Sequence, residues 1–229
     1  MVRERTSTRI FHDVLIVPPA EVVPGFNVTS RFPVSAPLEV DVGCGRGRFL
    51  IAHAGSHPNT NFLGIDRATV RLRKIDRRAS QTGLTNIQLI QGDAIRVVEE
   101  ILFPLSVSVF YVFYPDPWPK RRHHCRRLVS ATFIDRIHAT LLENGIIHLC
   151  TDHEHYFLAI HALFALDPRF VEITPFVPSP EEETDFGMLF RTLARTARRC
   201  SFRKQSSPVA RAQTAPPPPE TAISGIHHA

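Results

Sequence analysis

From Leu38 onward, short apolar runs alternate with amphipathic stretches, and this alternation constrains the fold more than any other feature of the chain. LEVDV at 38–42, NFLGID at 61–66, NIQLI at 86–90, VSVFYVF at 107–113 and GIIHLCTD at 145–152 read as strands. Helices are predicted from about Arg48, from about Ala68, from about Ala94 and over 133–142. Strands separated by helical stretches build βαβ units, so the prediction is an α/β fold: a doubly wound, mostly parallel sheet flanked by helices. Ligands of such sheets sit outside the carboxyl ends of the strands. After Asp152, a helix to Leu166, a strand near 170–173, a polar loop with Glu181, Glu182 and Glu183, a helix from Phe186 and a strand near 200–204 complete the pattern.

The pattern delimits one domain over 36–204. Residues 1–35, with Arg3, Arg5, Arg9 and several prolines, read as an arm that lies on the core or contacts substrate. Residues 205–229 carry four consecutive prolines and little apolar content, which predicts a disordered tail. At 229 residues and 43% apolar, the chain suffices for one sizeable core. The near-apolar run 101–113 is too short to span a bilayer and contains Pro104, so no membrane segment is expected. Cys44, Cys125, Cys150 and Cys200 are widely spaced without a CxxC pair, which indicates neither a zinc site nor a disulfide framework. They read as reduced thiols of a cytoplasmic protein. The adjacent His123 and His124 lack spaced acidic or cysteine partners, so no metal is expected.

Two segments carry the chemistry. VDVGCGRG at 40–47 places Gly43, Gly45 and Gly47 between a strand and a helix, a turn that lets a ligand approach the backbone closely. A dinucleotide fingerprint would need glycine at 48, where Arg48 stands, and the acid at Asp41 favours a cationic ligand over a pyrophosphate. That points to S-adenosylmethionine. Asp66 ends the second strand, placed to accept from two ribose hydroxyls, and Asp93 ends the third strand region, placed to accept from an adenine amino group. Both acids are also good helix N-caps, and capping and ligand binding are compatible.

The second segment, YPDPWPKR at 114–121, holds Asp116 between two prolines, where the backbone suits neither helix nor inner strand. The basic run Lys120, Arg121, Arg122, His123, His124, Arg126 and Arg127 follows, suited to phosphate contact. A net charge of +5 permits a polyanionic partner.

Through VDVGCGRG, GID, GDA, YPDPWPKRRHHCRRL, the TD at 151–152 and Thr184-Asp185-Phe186, the chain resembles the bacterial tRNA (guanine-N7)-methyltransferase family over roughly 36–204. The resemblance implies a class I, Rossmann-like methyltransferase domain, a monomer or homodimer, that methylates N7 of the variable-loop guanine of tRNA. By it, Asp41, Gly43, Gly45, Asp66, Asp93 and Asp116 would line the cofactor site, with Asp116 also the central catalytic residue. Lys120, Asp152 and Thr184 would contact the substrate. Asp41 and Asp66 stand where the family commonly has glutamate, which keeps the charge. The family's T-x-[FY]-E reads T-D-F-G here, so Gly187 lacks an expected carboxylate. Either activity is reduced or the glutamates at 181–183 compensate. A small-molecule methyltransferase of the same fold and a catalytically impaired RNA-binding homologue are the alternatives.

Overall fold

The computed structural model describes residues 15–206; Arg3, Arg5 and Arg9 of the arm, and the tail from 207, lie outside them. The predicted doubly wound sheet is present. Its strands are β1 (Leu38–Val42), β2 (Asn61–Asp66), β3 (Ile87–Gln91), β4 (Val107–Phe113), β5 (Leu141–Thr151), β6 (Phe170–Ile173) and β7 (Arg198–Lys204), in the order β3-β2-β1-β4-β5-β7-β6. β1 to β5 run parallel and β7 is antiparallel to both its neighbours. The chain winds outward from β1 to β3 and then crosses back to β4. The ends of β1 and β4 therefore flank the point where the winding reverses, the crevice in which such sheets bind ligands.

Strand alternation divides the core between the two faces. Phe62, Ile87 and Leu89 pack with Leu50 and Ala54 of α1 (Arg48–Ser56) and with Leu72, Ile75 and Ala79 of α2 (Thr69–Gln81). Leu63, Ile65 and Ile90 face the other way, into the larger core that holds Phe133, Ile134 and Ile137 of α4 (Ala131–Thr140) and Tyr156, Ile160 and Phe164 of α5 (Glu154–Ala165). α2 is amphipathic: Leu72, Ile75 and Ala79 are buried, while Arg71, Lys74 and Arg78 are exposed.

Two elements depart from the expected pattern. The helix predicted from Ala94 is a single turn, α3 (Ala94–Arg96), that widens into a π turn over Val97–Ile101, burying Val97, Val98 and Ile101. α4 stops at Thr140, before the predicted 142, and β5 begins at once; Asn144 has φ +64° where the β4–β5 register shifts. Part of the arm lies on the core. Val17 donates to the Leu89 carbonyl (2.9 Å) and Leu89 donates to the Leu15 carbonyl (2.8 Å), while the Leu15 amide donates to the buried Asp76 of α2 (2.9 Å).

α1 begins directly after Gly47, whose φ of +71° belongs to the left-handed region. A Cβ there would sit 2.5 Å from Ile75 Cγ1, so Gly47 also permits the close approach of α1 and α2. Gly47→Ala is expected to lower stability by about 2–4 kcal/mol, from backbone strain plus overpacking. Urea unfolding will register this as a lower midpoint with an unchanged slope.

Candidate active site at the carboxyl ends of the strands

A cavity of about 1200 Å³ opens at the crevice between β1 and β4. Its wall includes Asp41, Gly43, Gly45, Asp66, Asp93, Asp116 and Thr184. Lys120 and Asp152 are not on that wall. Lys120 is exposed just before the 3-10 turn Arg121–Arg126, and Asp152 accepts from Arg195 Nη1 at 3.3 Å.

The two acids nearest the glycine turn are both buried, Asp41 to 5% exposure and Asp66 to 7%. Asp66 is engaged by backbone and arginine. It accepts from Gly45 N (3.0 Å), Ala68 N (2.8 Å) and Arg71 Nη1 (3.3 Å), so it fixes the turn that it faces. Asp41, by contrast, has no hydrogen bond to its carboxylate from any described residue. Burial pushes its pKa up to about 7, with His53 of α1 pulling it down and Asp66 pushing it further up. A buried carboxylate without a partner on a cavity wall is a place for a cation. The adjoining Gly43, at φ +80°, leaves open space where a Cβ would stand, so a ligand can rest on the backbone there. This donor set fits S-adenosylmethionine, which carries a sulfonium, an ammonium and a ribose diol.

Asp93 is the helix N-cap anticipated of it, and it lines the cavity. Its Oδ1 caps α3 through Ile95 N (3.0 Å) and Arg96 N (3.4 Å), and its other oxygen pairs with Arg67 on the cavity wall. Burial works to raise its pKa, but Arg67 and the two amides outweigh it and leave it lowered.

Opposite the glycine turn, Tyr114–Trp118 forms the second wall. Tyr114 (φ +53°) and Trp118 (φ +40°) hold the left-handed conformation without being glycine, so the turn stores strain that its neighbours must retain. They do so with the basic run. Arg126 lies over the Trp118 ring (5.0 Å), Arg127 Nε donates to the Pro117 carbonyl (2.9 Å), and the Arg127 guanidinium stacks on Tyr156 (4.6 Å). Two arginines assigned from sequence to phosphate contact thus hold the turn, which leaves Asp116 exposed at its apex. Trp118 packs edge-on against His123.

The third wall comes from α6 (Asp185–Thr192), capped by Thr184, whose Oγ1 accepts from Gly187 N at 2.9 Å. Phe186, Met188 and Leu189 give it an exposed apolar lip that sequence reasoning missed. At Gly187 a Cβ would meet Glu183 Oε1 at 1.9 Å. The Glu183 carboxylate therefore occupies the space a side chain at 187 would take, held by Arg191 (2.7 Å) and Arg199 (3.5 Å). It stands behind the cavity wall. Arg48 Nε donates to the Glu183 carbonyl (2.9 Å), fastening α1 to the loop that leads into α6.

A polar network beneath the site was also missed. Asp41, Tyr111, His148 and Ser201 are register partners across four adjacent strands and share one face. Tyr111 donates to Glu39 (2.8 Å), and His53 Nε2 lies 3.0 Å from Tyr111 Oη. Burial holds His148 neutral, its pKa down to about 4, beside Ser201 Oγ at 2.7 Å. Phe176, in the loop after β6, closes over this row together with Phe49.

Among known proteins, the profile of a family described as "Putative methyltransferase" matches residues 35–194. The tRNA (guanine-N(7)-)-methyltransferase of Psychromonas ingrahamii is 32% identical over 181 residues, covering 78% of this chain and 74% of that protein. That of Chromohalobacter salexigens is 34% identical over 162 residues, covering 68% of this chain and 65% of that protein, just under two thirds of its length. The 16S rRNA methyltransferase KamB superposes with a TM-score of 0.55 at 15% identity, over 79% of this chain and 91% of that chain, a likeness of fold. With a relative above 30% identity matched over more than two thirds of both chains, and a family profile spanning most of the domain, the chain belongs to the bacterial tRNA (guanine-N7)-methyltransferase family.

Proposed function

We propose that the protein methylates N7 of a guanine in tRNA, the variable-loop guanine, using S-adenosylmethionine. The observation that carries this reading is the meeting, around one cavity, of the unpartnered Asp41 and the glycine turn on one side with Asp116 in its strained turn on the other. When bound, S-adenosylmethionine supplies the methyl group as a sulfonium electrophile. Asp41 and the open backbone at Gly43 hold its cationic end, Asp66 its ribose, and Asp93 its adenine amino group.

Guanine N7 has an in-plane lone pair and no proton, so the chain needs no general base. Its task is to align the purine and to stabilise the positive charge that the ring acquires. Asp116 does the second, and its two oxygens match the N1–H and N2–H donors of guanine, which selects against adenine. Thr184 borders the purine from α6. Lys120 and its exposed neighbours Arg121 and Arg122 neutralise phosphates outside the cavity.

Incubating the purified protein with methyl-labelled S-adenosylmethionine and unmodified tRNA, then mapping the label, tests the reading. Label on guanine N7 supports it. Tight tRNA binding without label would favour an impaired RNA-binding homologue, and neither behaviour would favour a small-molecule methyltransferase.

Two further outcomes are expected. Because a cationic ligand favours ionised Asp41, cofactor affinity should rise with pH up to about 7 and flatten above it; between about pH 7.5 and about pH 6 it should fall roughly tenfold. The titratable groups facing Asp41 include His53, Asp66, Cys44 and Tyr111, and titration calorimetry at several pH values, with proton uptake or release measured, reads the effect. Lys120→Ala should weaken tRNA binding and reduce the slope of log K against log salt by about 1. An unaltered slope would remove Lys120 from the phosphate contacts.

A further inference from the structure

α1 carries two histidines four residues apart, His53 in its last turn and His57 at its C-cap, a spacing that sets them on one helix face. The loop between β6 and α6 lays Glu182 beside them. One ligand atom from each of His53, His57 and Glu182 lies within 4.8 Å of the other two. His53 Nδ1 is 2.8 Å from Glu182 Oε1, and the imidazoles of His53 and His57 are 4.2 Å apart between centroids.

Groups around this cluster already hold its members in place. The second nitrogen of His53, Nε2, lies 3.0 Å from Tyr111 Oη and 3.6 Å from Glu39 Oε2. A carboxylate behind the far nitrogen is the arrangement that orients a ligating imidazole and raises its basicity. Glu182 is held independently: Ser179 N donates to its Oε2 (3.2 Å) and Ser56 Oγ to its Oε1 (3.0 Å).

We propose that His53, His57 and Glu182 form a site for a divalent transition-metal ion of the zinc class, with water completing the coordination. Two imidazole nitrogens and one carboxylate oxygen are a donor set that suits zinc and does not suit magnesium or calcium. None of the three residues lines the cavity, so the ion is structural. It fastens α1 to the loop one residue before Glu183 and two before Thr184. That reinforces the Arg48 tie between the glycine turn and α6. The sequence gives no sign of the site because His53 and Glu182 are separated by 129 positions.

The test needs neither tRNA nor cofactor. Full-length protein is stripped with a chelator, dialysed and titrated with Zn²⁺ against a chromophoric chelator, alongside His57→Ala and Glu182→Gln. His57 is exposed, so its variant is expected to fold, and circular dichroism checks both. One equivalent should bind to the wild type, and each variant should bind at least about tenfold more weakly, the scale of losing one ligand from a three-residue site. Co²⁺ should give d–d absorption without a thiolate charge-transfer band. Wild-type affinity in both variants, absence of a bound equivalent, or a thiolate band implicating a cysteine would each overturn the assignment.

Discussion

Replacing Asp116 with asparagine is expected to lower kcat by about 10²–10³-fold, the scale of removing one preorganised electrostatic group from a transition state. The substitution keeps the shape of the side chain and removes its charge. Asp116 is exposed at the apex of its turn, and the turn is held by contacts that do not involve its carboxylate: Arg126 over Trp118, and Arg127 on Pro117 and Tyr156. The thermal unfolding midpoint should therefore stay where it is. If the charge acts chiefly as the ring becomes cationic, kcat falls more than KM rises; if guanine recognition dominates, KM carries the loss. Unchanged values of both would remove Asp116 from the reaction.

Asp66→Ala is expected to reduce cofactor affinity by about 10²–10⁴-fold. Two hydrogen bonds to a charged acceptor, each worth about 1.5–3 kcal/mol, account for that range. The reason lies in what Asp66 does before any ligand arrives: it accepts from Gly45 N and so sets the glycine turn on which the ligand rests. Alanine would remove the ribose acceptor and loosen the turn together. Asp66→Asn, which retains one oxygen, should fall between wild type and Asp66→Ala. Equilibrium binding of labelled S-adenosylmethionine measures all three, and equal affinity for wild type and alanine would overturn the assignment.

The strands were legible because a buried parallel sheet writes near-continuous apolar runs such as VSVFYVF, and the helices because Leu72, Ile75 and Ala79 recur at helical spacing. Acids at strand ends were also legible, since topology alone carries Asp41, Asp66 and Asp93 to one rim. Side-chain pairing between distant segments was not. Asp152 follows β5 as the pattern implied, and its contact with Arg195, 43 positions later, could not be read from the sequence. Arg126 and Arg127 read as phosphate contacts, whereas Trp118 and Tyr156 lie beneath them. Glu183 fills the space left at Gly187, a relation the sequence raised only as one of two outcomes. Asp76 is a polar residue in α2, and only the folded chain brings the Leu15 amide to it.

The short pairing of Leu15 and Val17 with Leu89 has a consequence away from chemistry. β3 is the last strand on its side of the sheet, and an outermost strand offers free amides and carbonyls to any passing extended chain. By laying its own upstream segment along Leu89, the protein occupies the middle of that margin in advance, which shortens the template it offers for intermolecular aggregation.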